Sequence, residues 1–276
     1  MERIKVEGMP VITTYLSDTC DKHRYVKDGV EHIKKVQLMN IEGQAICPLC
    51  ESDKRKQELE DKQYEIHKDI IEHPDKQVFF RESMVTDETI LKARFENFKQ
   101  EVHEEKQNLQ LAKVSVKDFL NEIAFTLWMQ GKPGAGKSHL AYSIAYGINE
   151  VGKYKVLFIE MSELMKSIKA TFNNKSDETE QSIIKKLTSV DVLVLDDVGA
   201  EVGNIDTQKE ASDFVGRVMK DTFNGRQGKT TICTTNLTGG QLKQIYDAKT
   251  FSRMFRDYRY IKFENSKDRR FIELPF

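Results

Sequence analysis

Apolar residues fall in two regimes along the 276-residue chain. In the back two thirds they come as short, nearly uninterrupted runs: Ile123–Met129, Val190–Asp197 with its two terminal acids, and the β-branched stretch Thr230–Asn236. Runs of that length without polar alternation predict strands buried on both faces, as in a parallel sheet covered by helices. Leu140, Ala141, Ile144 and Ala145 recur at helical spacing behind the first run, so a helix is expected to start near Gly136. The front of the chain reads differently. From Glu51 to His73 acids and bases interleave, with Leu59, Tyr64, Ile66, Ile70 and Ile71 as the few apolar positions, which predicts a solvated helix. Pro74 is expected to end it, because proline disfavours helix in the residue before it. Residues 75–105 read as a linker passing into a helix, with Ile90, Ala93, Phe95 and Phe98 available to pack on the α/β core. The predicted organisation is a small module at 1–74, a linker and lead-in helix at 75–105, and an α/β domain at 106–276.

The first strand runs into Gly131-Lys132-Pro133-Gly134-Ala135-Gly136-Lys137-Ser138. This matches G-x-x-x-x-G-K-[ST], the loop that cradles nucleotide phosphates, in the strand–loop–helix context it requires. Unpaired N–H groups at a helix start point at anionic phosphate, and the helix dipole adds to the attraction. Gly131, Pro133, Gly134, Ala135, Gly136 and His139 are expected nucleotide-binding positions, the glycines letting the backbone close around the phosphates. Lys137 would reach phosphate oxygens, and Ser138 would offer a hydroxyl to Mg²⁺.

Such a loop implies a nucleoside triphosphate but not its use. The second apolar run ends in Asp196-Asp197. Acids at the carboxyl end of a buried strand are delivered to the crevice where open α/β sheets bind ligands. Asp196 is expected to hold magnesium, and Asp197 to sit where a base polarises the attacking water. The third run ends in Asn236, a candidate for orienting that water; a turn residue or helix cap is the plainer role, and Thr238 is a second capping candidate. Ser252–Asp257 looks helical, and Arg253 and Arg256 three apart would share a face, suiting either surface ion pairs or a neighbouring subunit's nucleotide. Arg269 and Arg270 lie near the end.

In the front module, Cys20-x-x-His23 and Cys47-x-x-Cys50 are spaced as two knuckles of a tetrahedral Zn²⁺ site, with Pro48 suited to a tight turn. His32 competes as fourth ligand, and three free thiols with a surface histidine is the alternative. Closed coordination of this kind is structural, contributing folding energy on the order of 10 kcal/mol.

Taken in order, these segments resemble the AAA+ ATPases and, within them, the DnaC/DnaI-type bacterial or phage-encoded loaders of replicative helicases. The resemblance rests on GKPGAGKSHLA at 131–141, VLVLDDVGAE at 192–201, TTICTTNL at 230–237 and SRMFRDY at 252–258, with KARFENF at 92–98 as a lead-in, and it covers about residues 90–276. It implies an ATPase using ATP and Mg²⁺, with Arg253 or Arg256 acting in trans on a neighbour and Arg269 or Arg270 sensing nucleotide. It also implies a core without the small C-terminal helical lid, and an N-terminal zinc module that grips a DnaB-type helicase. Single-stranded DNA and self-association on the helicase complete the expected partners. The Asp-Asp pair departs from the commoner Asp-Glu; the shorter second acid makes slow, partner-stimulated hydrolysis the expectation, with Glu201 as an outside candidate for the base. Two rivals share these segments: a transposition helper resembling IstB, and an adaptor or antagonist that holds ATP and occupies the helicase with little hydrolysis. A small-molecule P-loop kinase would leave the Thr-Thr-Asn strand and the arginines without purpose.

Composition adds limits. Charged residues make up 32% of the chain, yet the formal net charge is only −1, so overall basicity does not argue for nucleic acid. The charge is uneven: residues 1–75 carry 12 Lys/Arg against 16 Asp/Glu, and residues 225–276 carry 11 against 5. The basic excess is expected to face ATP phosphates and in part single-stranded DNA. No apolar run approaches the ~18 residues of a membrane span, and no signal-peptide core opens the chain. A cytoplasmic protein without disulfides is expected.

Overall fold

The computed structural model describes residues 12–41, 43–171, 178–200 and 213–269. The chain divides into two compact units, residues 1–72 and 73–276.

In the first unit, β1 (Ile12–Lys27) and β2 (Val30–Ile41) form an antiparallel hairpin, and β3 (Gln44–Ile46) pairs with β2. The hairpin turns at Asp28-Gly29, both with positive φ (51° and 78°); this conformation suits the Asp-Gly pair and matches the strands' twist. Helix α1 (Pro48–Glu72) buries none of its residues. Its exposed length is laced with i,i+4 pairs such as Glu51–Arg55 and Lys54–Glu58, as the charge pattern predicts. Pro48, expected in the tight turn of the Cys47–Cys50 knuckle, instead opens this helix, since the first helical turn has no use for its missing N–H.

The second unit is built on a five-stranded parallel sheet of β4 (Thr126–Gly131), β5 (Val156–Glu160), β6 (Val192–Asp196), β7 (Thr230–Thr235) and β8 (Tyr258–Phe263), in the order β5-β6-β7-β4-β8. Successive side chains of β4, β5, β6 and β7 enter opposite cores, whereas the edge strand β8 buries only Ile261 and Phe263, on one face. Leu127, Met129, Phe158, Val192 and Val194 lie in one cluster, and Trp128, Leu157, Ile159, Leu193 and Leu195 in the other. That is why these strands read as continuous apolar runs. Helices α5 (Lys137–Asn149) and α4 (His103–Leu120) cover the first face. The second is covered by α6 (Met161–Thr171), α7 (Glu180–Ser189), α8 (Asp213–Gly225), α9 (Gly239–Ile245) and α10 (Ala248–Met254). Among the described residues no helix follows β8.

Three expectations are corrected. The first strand begins at Thr126, not Ile123, because residues 121–124 turn out of α4 and leave Ile123 exposed. Residues 75–105 are no plain linker. They carry α2 (Pro74–Glu82), α3 (Glu88–Leu91) and a 3-10 turn at Phe95–Asn97 before α4. Met84 even pairs with β5, its N–H donating to Phe158 O at 2.8 Å while Glu160 N–H donates to Met84 O at 2.9 Å. Finally, α10 ends at Met254, so Arg256 lies beyond the helix and does not share a helical face with Arg253.

Candidate nucleotide site and cysteine–histidine cluster

The turn from β4 into α5 carries the phosphate loop. Gly134 and Gly136 have φ of 72° and 99°, a left-handed backbone that side chains rarely adopt. Space forbids a side chain as well: a Cβ on Gly134 would strike the Asp268 carboxylate, and one on Gly136 the Phe98 ring. Lys137 is 6% exposed. Its Nζ donates to Lys132 O at 2.8 Å and to Asn236 Oδ1 at 2.7 Å, so the ammonium is aimed along the loop.

The acids arrive from β6, one strand beyond β7. Asp196 is 8% exposed. Its Oδ1 accepts from Thr234 Oγ1 at 2.6 Å. Burial pushes its pKa up to about 6, although hydrogen bonds from Thr234 and Ser138 oppose the rise and Asp197 and Glu160 add to it. Asp197 has φ of 61°, a conformation uncommon for a residue with a side chain. Its N–H donates to the same Thr234 hydroxyl at 2.8 Å, and its Oδ1 accepts from Asn236 Nδ2 at 2.7 Å. Thr234 therefore ties the two acids together, and Asn236 links Lys137 to Asp197. Thr238, not Asn236, caps the following helix, accepting from Gln241 N–H.

These groups line one cleft of about 560 Å³ at the carboxyl ends of the strands, where open α/β sheets bind ligands. Pro133, Gly134, Gly136, Lys137, Ser138, His139, Asp196, Asp197, Asn236 and Arg269 contribute to its wall, as do Thr86, Asp87 and Ile90 of the lead-in. Ala135, within the loop, is fully buried, and Gly131 abuts Phe263. His139 Nε2–H donates to Arg94 O at 2.9 Å; burial lowers its pKa, which favours the neutral ring. Arg269 reaches the cleft from the segment after β8. Arg270 and Glu201 lie outside the described residues.

Arg253 and Arg256 line a separate cleft of about 200 Å³ with Arg226, Lys229 and Thr126, at the amino ends of β4 and β7. Arg253 Nη1 donates to Lys249 O at 2.8 Å and Arg256 Nη1 to Gln227 Oε1 at 3.2 Å. Neither belongs to the nucleotide cleft.

Thr234, Thr86 and Glu160 were not singled out in the sequence. Glu160 ends the apolar run Val156–Ile159 as Asp196 ends its own, and it stands opposite Asp196 in the register. That repeated signature was available. Burial would raise its pKa, but hydrogen bonds from Thr86 and Ser162 outweigh this and lower it. Thr86 carried no local signal, because only the pairing of Met84 with β5 brings it there.

In the first unit, the ligand atoms of Cys20, His23, Cys47 and Cys50 all lie within 4.8 Å of one another. Cys20 Sγ and Cys50 Sγ are 3.7 Å apart, and His23 Nε2 is 3.2 Å from both Cys47 Sγ and Cys50 Sγ. Zn–S bonds of about 2.3 Å in a tetrahedron require S···S edges of about 3.8 Å, so the donor set fits zinc. Burial raises the Cys47 pKa, but hydrogen bonds from the Cys50 and Leu49 N–H groups and from His23 outweigh it and bring the thiol to about 7. His32 instead stacks on Tyr25, with ring centroids 5.4 Å apart, outside the cluster.

A family model described as IstB-like ATP binding protein matches residues 76–259. Among curated proteins, the replicative helicase loader DnaC of Buchnera aphidicola subsp. Schizaphis graminum is 34% identical over 114 residues, covering 41% of this chain and 46% of that protein. The DnaC of Escherichia coli K12 is 36% identical over 107 residues, 39% of this chain and 42% of that protein. The matched stretch thus spans less than half the length of these relatives. Two solved structures share the fold. A DnaC helicase loader superposes with a TM-score of 0.54 at 21% identity, covering 64% of this chain and 99% of that one. A DnaI structure gives 0.52 at 20%, covering 71% and 99%.

Proposed function

Because the chain belongs to the family of IstB-like ATP-binding proteins, we propose that its second unit, an AAA+ P-loop core, hydrolyses ATP to load a hexameric DnaB-type replicative helicase onto single-stranded DNA. The observation that carries this reading is the convergence of Lys137, Asp196, Asp197 and Asn236 in one cleft, with Thr234 joining the two acids and the Asn236 amide joining Lys137 to Asp197. The helicase follows from the similarity to proteins named replicative helicase loader DnaC.

Ser138 and Asp196 would hold magnesium. An acid buried against a serine hydroxyl, with its pKa lifted to about 6, is what a cation would restore to the ionised form. When bound, the ion neutralises charge on the phosphates. Lys137, released from Asn236, contacts phosphate oxygens, and Asn236 is then free to orient the attacking water beside Asp197. Asp197 is held by the Asn236 amide on one side and by its own backbone bond to Thr234 on the other. Arg253 and Arg256 sit at the opposite end of the sheet from the nucleotide cleft of the same chain. This suits delivery to a neighbour's γ-phosphate when copies line up on a helicase, one copy's arginines against the next copy's nucleotide. Arg269 and Arg270 would read nucleotide state. Cys20, His23, Cys47 and Cys50 would hold a structural Zn²⁺ in a helicase-docking module.

Lys137→Ala is expected to lose ATP binding while remaining folded; unchanged affinity would refute the phosphate-loop assignment. Co-purification with a DnaB-type hexamer, and ATP turnover that rises with helicase and single-stranded DNA, test the loader. A second reading, an ATP-holding adaptor with little turnover, is favoured by the short Asp197 side chain being already engaged by Asn236. It predicts helicase binding with no stimulated turnover.

A further inference from the structure

We infer that Glu105, at the start of α4, is a positioning residue for the nucleotide cleft: it holds Arg269 against the phosphate loop so that the guanidinium charge acts on the bound phosphates. The inference rests on the reading of the cleft as an ATP site. Glu105 is 2% exposed, deep burial for a carboxylate, and a buried charge must be paired. Its Oε1 meets Arg269 Nη2 at 2.6 Å, while its Oε2 accepts from the N–H groups of Glu101 and Val102 at 2.6 and 3.2 Å. Burial would raise its pKa, but those bonds and Arg269 outweigh this and hold it ionised.

The same carboxylate thus caps its own helix with one oxygen and grips the arginine with the other. Arg269 Nη2 also donates to Lys99 O at 2.6 Å, and its guanidinium lies over the Phe98 ring, 4.9 Å from the centroid. Phe98 in turn presses on Gly136, and Arg269 N–H donates to Gly134 O at 3.2 Å. The arginine is therefore fixed on its far side, while its near side forms part of the cleft wall beside Gly134, Gly136 and His139. A flexible cation would lose rotamer freedom on meeting a phosphate; one already clamped loses little.

Glu105→Gln separates the two jobs of this carboxylate. A glutamine carbonyl can still accept from the Glu101 and Val102 N–H groups, but its amide cannot accept from Arg269. The experiment titrates full-length wild type, Glu105→Gln, Arg269→Gln and the double variant with mant-ATP and with mant-AMP, in magnesium, alongside nucleotide-free melting. Each single variant is expected to weaken mant-ATP binding about tenfold, and the double variant by the same tenfold, because the two residues act as one unit. Mant-AMP, lacking the β- and γ-phosphates, should bind all four alike. Equal losses for both nucleotides would mean a merely structural pair and overturn the inference, as would a hundredfold loss in the double variant or wild-type binding in Glu105→Gln. If Glu105→Gln does not fold, Arg269→Gln decides: wild-type mant-ATP affinity there overturns the inference. Failure of the wild type itself to bind mant-ATP would instead remove the ATP reading beneath it.

Discussion

Asp196→Asn should make the nucleotide-free protein more stable while destroying its use of magnesium. The aspartate's pKa rises from an ordinary 3.8 to about 6, chiefly through burial. Between those values the folded chain holds a proton that the unfolded chain has released, so stability falls as pH rises through that window. Each tenfold weakening of an acid corresponds to about 1.4 kcal/mol, so the full cost above pH 6 is about 3 kcal/mol. With Asp196 only 8% exposed, solvent does little to screen it. Asparagine has the same shape, carries no charge, and can still accept the Thr234 hydroxyl. Urea unfolding followed by Trp128 fluorescence is the assay, since this single tryptophan is 1% exposed in the second unit and reports on its core. In chelator, the variant should exceed wild type by about 2–3 kcal/mol at pH 7 and by only about 0.5 kcal/mol at pH 4. Saturating Mg-ATP should then stabilise wild type by about 2.7 kcal/mol at a hundred times Kd and leave the variant unmoved. A variant no more stable than wild type at pH 7, or a gap that does not narrow towards pH 4, would refute the assignment of a desolvated acid.

Replacing Arg253 or Arg256 by alanine should leave mant-ATP affinity unchanged and lower helicase-stimulated turnover by about 10³-fold or more for the arginine that acts in trans; equal stimulated rates in both variants would count against it. The purified protein should contain one zinc per chain by a colorimetric assay, and Cys47→Ser should release it and melt the hairpin unit; metal-free protein with an intact hairpin would disprove the site. Gly134→Ala should weaken ATP binding by more than tenfold, because its Cβ has nowhere to go but the Asp268 carboxylate; wild-type affinity would show that the loop can shift.

The cleft was legible in part because of how its members are encoded. The phosphate loop, Asp196 and Asn236 each sit at the carboxyl end of a strand whose apolar run announces it, so local pattern alone delivers them to the same edge of a parallel sheet. The cysteine–histidine cluster was legible for a similar reason: two close pairs carry their own spacing, and the strand pairing had only to bring them together, as Cys20 and Cys50 at 3.7 Å attest. Thr234 was hidden because every residue of β7 from Thr230 to Thr235 is buried, leaving nothing in the composition to mark the one whose hydroxyl joins the two acids. Glu105 was hidden more deeply. It looks like any solvated acid at a helix start, and only the return of the chain after β8, some 160 residues later, turns it into a buried partner for Arg269. The wall of the site was thus encoded in tertiary return paths rather than in motifs. Those paths run through the lead-in at 84–105 and the segment at 266–269, both wrapped against the loop at 131–138. Phe98 and Asp268, one from each segment, thus occupy the space that a side chain at Gly136 or Gly134 would need.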